Sequence, residues 1–143
     1  GELSAPRKSP KRFTCFDAFA ELYKLGPLIA HNELRILLLF IDMDEYRCLN
    51  GWSADGKKGS TRSERIPLAL EDSILLCTNA DYLRLLPETL GDAFTSAELA
   101  SSAKINRRTA QITLTVLAKR GAIACVGKHG RMKLYAKCPP SQA

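Results

Sequence analysis

Near the C-terminus of the chain, apolar side chains recur at the spacing of an α-helix. Ala110, Leu114 and Leu117 are four and three residues apart, so they share one helical face. Asn106 is a good N-cap, and Gly121 ends the helix because glycine adopts the left-handed conformation at little cost. The pattern therefore predicts a helix over residues 106–120 that buries this apolar face.

A shorter helix is predicted just before it. Thr95 and Glu98 have the spacing of a capping box, in which each side chain accepts a hydrogen bond from the backbone amide of the other residue. Leu99 and Ala103 then give this helix a narrow apolar side, and Ile105 closes a tight turn. The two segments together predict a helix–turn–helix pair.

The residues after the second helix predict a β-hairpin. Residues 122–126 are apolar, and residues 132–136 alternate well enough for a return strand. The segment 127–130, Gly-Lys-His-Gly, consists of residues that favour turns. Strand, turn and strand thus follow the helix directly.

The N-terminal half of the chain predicts one helix and then a strand. Residues 13–25 carry aromatic and aliphatic side chains at helical spacing, and Gly26 and Pro27 end the run. Residues 34–49 open as a continuous apolar run and then alternate, which is typical of a strand that is buried on both faces at its start. A helix of the same length is the rival interpretation.

Turn signals and a second apolar segment follow this strand. Residues 50–59 contain Asn-Gly and Asp-Gly dipeptides, which favour tight turns, and place Trp52 in a loop. Residues 60–78 are first polar and basic and then apolar, and Pro67 favours an edge strand or a strand start. We expect an antiparallel hairpin or meander here. Residues 81–90 then have leucines at helical spacing and predict a helix, with Pro87 inside it.

The positive charge of the chain is concentrated at its two ends. The net charge is +6 at pH 7, but residues 94–143 alone hold nine lysines and arginines against one acid, Glu98. Residues 1–12 contribute +3, whereas residues 13–93 carry eight bases and thirteen acids. Such a concentration is typical of a protein that binds a polyanion, and a solvated surface is the alternative.

The order of short helix, turn, longer helix and basic hairpin resembles a winged helix-turn-helix. The part most similar to that family is the run LAKRGAI at residues 117–123, followed directly by a basic hairpin that contains glycine. The resemblance covers about 45 residues, and the segment 81–90 would supply the helix that precedes the pair. The whole chain also resembles uncharacterised bacterial proteins in which a basic hairpin with a tryptophan precedes a winged helix. This second resemblance implies no activity.

With the resemblance, the sequence predicts an α+β fold in which an N-terminal helix and a small antiparallel sheet are followed by a winged helix-turn-helix. We expect a flexible basic linker at residues 1–12. An α+β lobe of unknown role is expected at residues 13–78, and the winged helix-turn-helix domain at residues 79–138.

The resemblance implies DNA binding, by a bacterial-type transcriptional regulator or by the DNA-binding module of a larger protein. The second helix of the pair would enter the major groove of double-stranded DNA, and the hairpin, or wing, would lie against phosphates or the minor groove. The residues implied to contact DNA are Lys104, Asn106, Arg107, Arg108, Gln111 and Thr115 on the helix pair, and Lys128, Arg131 and Lys133 on the wing.

Two alternatives to DNA binding remain open at this point. Ile112 and Val116 are expected to lie off the buried face of their helix, where a second copy or a partner protein could bind. A winged helix used only for protein contacts is therefore the first alternative, although it has no need of a basic wing. Asp42 and Asp44 share a strand face that could hold a divalent metal, so a fragment of a metal-dependent nuclease is the lesser one.

We expect no catalytic residues, no resident metal and no cofactor, because no motif with the spacing of such a site is present. The five cysteines form no CxxC pair and are odd in number, which favours a reduced, cytoplasmic protein. No stretch approaches the roughly 20 apolar residues of a membrane span. Gly1 in place of an initiator methionine indicates a piece of a longer protein.

Overall fold

The helices of both halves of the sequence lie together, and a long hairpin forms a separate unit. The structure is a computed structural model that describes residues 3–10, 12–48 and 61–139. One compact unit consists of Gly1–Arg35 and Leu76–Ala143, and the other is Ile36–Leu75. The described residues form four α-helices and two small antiparallel sheets, so the predicted α+β class is confirmed.

A 3-10 turn and a five-residue helix replace the single helix predicted at residues 13–25, and a further 3-10 turn follows them. A 3-10 turn at Cys15–Ala18 leads into helix α1, Phe19–Tyr23, and a second 3-10 turn follows at Gly26–Ala30. The backbone N–H of Thr14 donates to the carboxylate of Asp17 at 2.7 Å and fixes the start of the first turn. These elements pack against the long helix described next and bury Phe16, Phe19, Leu22 and Ile29.

Three more helices complete this unit. Helix α2 is Asn79–Leu83, α3 is Ser96–Ala103 and α4 is Arg107–Arg120. The predicted helix–turn–helix pair is present as α3 and α4, and Thr95 and Glu98 form the expected capping box. Helix α2 is shorter than the helix predicted at residues 81–90. That range contains Pro87, and a proline disfavours a helical conformation in the residue before it.

A three-stranded sheet closes the unit. Its strands are β3 at Ala93–Phe94, β4 at Ile123–His129 and β5 at Met132–Lys137. The strand order is β3-β5-β4, and both pairs are antiparallel. The predicted C-terminal hairpin is therefore present as β4 and β5, and its second strand also pairs with the short strand that precedes α3.

Helix α4 is buried on a wider face than the sequence pattern indicated. Ala110, Leu114 and Leu117 are buried as predicted, and Thr113 is buried beside them. Val116 is also completely buried, with 0% of its surface exposed, so the expectation that it lies off the buried face is wrong. The reason is that α1 and both 3-10 turns pack against α4 in addition to α3. Ile112 is half-buried.

The second unit is a two-stranded sheet. Strand β1 is Ile36–Cys48, which rejects the rival helical interpretation, and β2 is Thr61–Leu76. Pro67 lies within β2, where it is tolerated because both strands of a two-stranded sheet are edge strands. The turn expected at residues 50–59, with Trp52, lies outside the described residues. The expectation that β1 begins with both faces buried is wrong, since Leu37 and Leu39 are 56% and 50% exposed.

The division into units differs from the boundary predicted at residues 78 and 79. Residues 13–35 were expected to form a lobe with the hairpin, but their apolar side chains are buried in the unit that contains α3 and α4. Hydrophobic periodicity defines which face of a helix is buried, but it does not define the element against which that face packs.

Candidate nucleic-acid interface

The turn between α3 and α4 positions the basic start of α4. Lys104 ends α3 in the left-handed conformation, with φ of 56°. The side-chain oxygen of Asn106 accepts a hydrogen bond from the backbone N–H of Thr109 at 2.7 Å and caps α4. Arg107 and Arg108 follow directly, and both are exposed in the first turn. The cap uses one lone pair of the Asn106 oxygen, so its amide NH₂ group and the second lone pair are left for a contact with a ligand.

One side of α4 carries three of the helix residues that were expected to contact DNA. Arg108, Gln111 and Thr115 are three and four residues apart and therefore lie on one side of the helix. Arg108 and Gln111 are exposed, whereas Thr115 is half-buried. The Thr115 hydroxyl donates to the backbone oxygen of Gln111 at 2.9 Å, so its proton is already used within the helix.

The hairpin presents a group of bases near its tip. Lys128 and Lys133 are directly opposite each other across β4 and β5, and Arg131 lies in the turn between these strands. Gly130 has φ of 63°, which lets the chain reverse there. All three bases are exposed. Like charges that are directly opposite in a sheet destabilise it, so the two lysines repel each other in the absence of an anion.

A contact joins the helix start to the hairpin. The guanidinium Nη1 of Arg107 lies 3.5 Å from the sulfur of Met132, which is the first residue of β5. Lys133 follows Met132 in the strand. The contact therefore brings the first turn of α4 next to the tip of the hairpin, whereas Lys133 and its cross-strand partner Lys128 project from the other face of the strands, because side chains alternate along a strand.

We use the name basic surface for the six exposed bases of the helix start and the hairpin tip. Within the described residues, none of them makes an ion pair. The only acid of residues 94–143, Glu98, accepts a hydrogen bond at 3.1 Å from the backbone N–H of Thr95 in the cap of α3. The basic surface is therefore not neutralised within the described part of the chain. Its members are Lys104, Arg107, Arg108, Lys128, Arg131 and Lys133.

Two other bases of α4 are held by contacts within the protein. The guanidinium of Arg120 donates to the backbone oxygens of His31 at 3.0 Å and Cys77 at 3.1 Å. It also lies 5.4 Å from the ring centre of Tyr82, and Lys119 lies 4.8 Å from that of Tyr23. Both bases belong to the nine lysines and arginines of residues 94–143, and nothing in the neighbouring sequence distinguished them from the residues of the basic surface.

Other features of the structure supply no second candidate site. A shallow pocket of about 350 Å³ is lined by the residues Asn79, Ala80, Leu83, Arg84 and Cys138, and its lining is largely apolar. In residues 3–10, 12–48 and 61–139, no three histidine, cysteine, aspartate or glutamate side chains are grouped so that they could hold a metal ion. Asp42 and Asp44, the two carboxylates of the nuclease alternative, belong to no such group in that range.

In the hairpin unit, a hydrogen bond with Asp42 and the negative charge of that residue raise the pKa of Glu71. The two carboxyl groups interact with each other across the strands.

No helix in the part of the chain that the structure describes has the length and apolar character to cross a membrane.

Comparison with known proteins gives one match. A family model described as a domain of unknown function (DUF8091) matches residues 1–77, which are more than half of the 143 residues. No curated protein and no solved structure matches the chain. The matched segment contains α1 and both strands of the hairpin unit and ends before α2, so the basic surface lies outside it.

Proposed function

The chain belongs to the family described as a domain of unknown function (DUF8091), and we propose that its C-terminal part is a winged helix-turn-helix that binds double-stranded DNA. The observation that carries this proposal is the basic surface, in which the start of α4 and the tip of the hairpin present six bases without an ion pair among the described residues. In this proposal α3 and α4 are the helix–turn–helix pair, and β4 and β5 are the wing.

The order of the elements supports the proposal. Helix α2 and strand β3 precede the helix pair, and the wing follows α4 without an intervening segment. The sequence resemblance implied a helix before the pair and a hairpin after it, and strand β3 was not expected. The contact between Arg107 and Met132 links the wing to the helix, so the two parts can meet one duplex together.

The charge distribution of the wing also supports DNA over a protein partner. Lys128 and Lys133 are opposite each other, and such a pair is stabilised by a phosphate between the two ammonium groups. A surface for protein contacts has no need of unpaired lysines, and interface cores are depleted in lysine. The protein-contact alternative also loses half of its proposed surface, because Val116 is buried.

Base recognition is assigned to the side of α4 that carries Arg108 and Gln111. Arg108 has a guanidinium that can donate two hydrogen bonds to guanine, and the amide of Gln111 can contact adenine. The side-chain oxygen of Asn106 already accepts from the backbone N–H of Thr109, so a bidentate contact with adenine would require this oxygen to accept a second hydrogen bond. Lys104, Lys128 and Lys133 contribute phosphate contacts, which supply affinity and little sequence information.

The proposal includes no catalytic step and no cofactor. The role that fits DNA binding is that of a bacterial-type regulator of transcription in the cytoplasm, or of the DNA-binding part of a larger protein.

The first test is the fluorescence anisotropy of a labelled random-sequence duplex that is titrated with the protein at several salt concentrations. If about five bases contact phosphates, the logarithm of the association constant falls linearly with the logarithm of the salt concentration, with a slope of about −4 to −5. Absence of binding at low salt would contradict the proposal.

A matched control is the Lys24→Ala variant. Lys24 forms an exposed ion pair with Glu21 at 3.0 Å near the end of α1, so this change removes one positive charge away from the basic surface. The affinity of this variant for the duplex and its salt slope should equal those of the parent protein. Loss of a lysine from the wing should instead lower the affinity and the magnitude of the salt slope.

A further inference from the structure

The N-terminal segment of residues 1–12, which we call the arm, is basic and adds nothing to the core of the first unit. It holds four bases and one acid. Its residues 3–10 and 12 are all exposed and belong to no helix or strand. The arm therefore adds positive charge to the first unit without adding to its packing.

Three bases of the arm have no charged partner in the described part of the chain. Arg7, Lys8 and Arg12 are exposed and make no ion pair there. Acids are not scarce, since residues 13–93 hold thirteen of them against eight bases. The three cations are thus left for an anion that the chain itself does not supply.

The arm is anchored on the unit that carries the basic surface. It leads into the 3-10 turn at Cys15–Ala18, where the backbone N–H of Thr14 donates to the carboxylate of Asp17. Phe16 of this turn and Phe19 of α1 are buried, and both elements pack against α4. A duplex on the basic surface and the arm are therefore held by the same unit.

The arm is also long enough to reach such a duplex. Residues 3–12 are ten residues, which span up to about 33–36 Å when they are extended. The first unit contains about 100 residues, for which the radius of gyration is about 13 Å and the diameter of an equivalent sphere about 34 Å. From any point of attachment, the arm can extend across the unit to a duplex at its surface.

The sequence of the arm favours the extended form that this reach requires. Pro6 and Pro10 fix their own φ and disfavour a helical conformation in the residue before each of them. Double-stranded DNA carries one negative charge per about 1.7 Å of its axis, so an extended basic chain meets phosphates wherever it lies on the duplex. Contacts of this kind need no fixed geometry of the arm.

We propose that the arm is a second DNA contact of this protein, in which Arg7, Lys8 and Arg12 bind backbone phosphates of the duplex that the basic surface holds. The proposal rests on the proposed function. Its contacts add to those of the basic surface and supply affinity without base preference. Neutralised phosphates release counterions, so each contact also makes binding more dependent on salt.

The test combines Arg7→Gln, Lys8→Gln and Arg12→Gln in one chain and measures the anisotropy of a labelled random-sequence duplex at several salt concentrations. Three lost phosphate contacts should reduce the magnitude of the salt slope by about 2.5–3 and weaken binding at 100 mM salt about tenfold or more. The three residues are exposed, so circular dichroism and the melting temperature should equal those of the parent.

The matched control is a chain in which residues 3–10 run in reverse order. This chain keeps every base and both prolines of the arm, and it changes only the order of the side chains. Its affinity and salt slope should equal those of the parent, because phosphate contacts of an extended arm do not depend on that order. A loss as large as that of the triple variant would overturn the proposal.

Protection from trypsin reports the contact directly. Trypsin cleaves after lysine and arginine, and exposed segments without secondary structure are preferred sites of proteolysis. A saturating duplex should slow cleavage after Arg7, Lys8 and Arg12, and hydrolysis of a small arginine ester in the same solution controls for inhibition of trypsin by the duplex. Cleavage at equal rates with and without the duplex would overturn the proposal.

The salt slopes separate failure of the arm from failure of the proposed function. If the parent does not bind the duplex at low salt, the proposed function and the arm contact are both wrong. If the parent and the triple variant bind with equal slopes, the arm contact alone is wrong. Equal slopes together with binding of the parent, but not of the triple variant, to phosphatidylserine vesicles would assign the arm to an anionic membrane instead.

Discussion

Two arginines of the same helix have different roles that only their surroundings distinguish. Arg108 lies in the first turn of α4, exposed and without an ion pair within the described residues. Arg120 lies in the last turn, where its guanidinium bonds to backbone oxygens of two distant segments. The first is available to a ligand, and the second holds the fold together.

For Arg120, we predict that Arg120→Lys lowers the free energy of unfolding by about 2–4 kcal/mol. One ammonium group cannot reproduce the planar set of donors that reaches His31 and Cys77, so at least one of these backbone oxygens loses its donor, and that of Cys77 is part-buried. Urea denaturation measures the change. Lys119→Ala is the control, because it removes only a surface contact with Tyr23 that is worth about 0.5–1 kcal/mol. Equal losses in the two variants would contradict this role.

For the basic surface, we predict that Arg108→Ala costs about 1–3 kcal/mol of binding at a cognate site and relaxes base preference at one position. Lys133→Ala should instead weaken binding to all sequences alike and reduce the magnitude of the salt slope by about 1. The measurement is anisotropy on a selected and on a random duplex over a range of salt. If both variants bind like the parent, the proposed surface is not the one that meets DNA.

At the level of elements, hydrogen-bonded caps define where the helices begin. The same capping box occurs at α2 and α3, with Thr78 and Asp81 in the first case and Thr95 and Glu98 in the second. The Asp81 carboxylate accepts from the backbone N–H groups of Thr78 and Cys77, both at 2.9 Å. These hydrogen bonds hold the pKa of Asp81 below its ordinary value.

This cap should make stability depend on pH in the acid range. Folding lowers the pKa of Asp81. The contribution of this carboxylate to the free energy of unfolding is therefore fully present above the pKa of an unfolded aspartate, about 3.9, and is lost as pH falls through the folded-state pKa. We predict that Asp81→Ala lowers the free energy of unfolding by about 0.3–1.5 kcal/mol at pH 7. The difference from the parent should shrink toward low pH. The exposed Asp92→Ala is the control, and a difference that is independent of pH would contradict the assignment.

At the level of the whole molecule, the N-terminal segment completes the unit that carries the basic surface. The chain leaves this unit after residue 35 and returns at residue 76. The guanidinium of Arg120 bonds to both His31 and Cys77, so the points of exit and return are held close together. The hairpin is therefore an insertion in the first unit and not a spacer between two domains.

Two deletions test this organisation. A fragment of residues 79–143 should fail to fold, because it exposes the side of α4 that α1 and the 3-10 turns cover, including Val116. Replacement of Ile36–Leu75 by a short glycine linker should leave the unit folded. Circular dichroism and thermal unfolding measure both. A cooperatively folded fragment 79–143 would show that residues 13–35 are dispensable.

The sequence determined the elements that depend on local interactions. Capping residues, the apolar spacing on α4 and the glycine at residue 121 predicted α3, α4 and their boundaries, because caps and turns are decided within a few residues. The basic hairpin was predicted for the same reason. The nine candidate residues all lie in the unit that contains α4, and eight of them are exposed, whereas Thr115 is half-buried. The side chains of Asn106 and Thr115 also make hydrogen bonds within the helix.

Only the tertiary structure decided which faces are covered and by what. Val116 is buried because a segment about 90 residues earlier in the chain packs on α4, and periodicity within one helix carries no information about that partner. The apolar start of β1 indicated burial, yet its side chains are exposed because the sheet has two strands within the described residues. Local propensity fixes an element, whereas burial depends on contacts between residues far apart in the sequence.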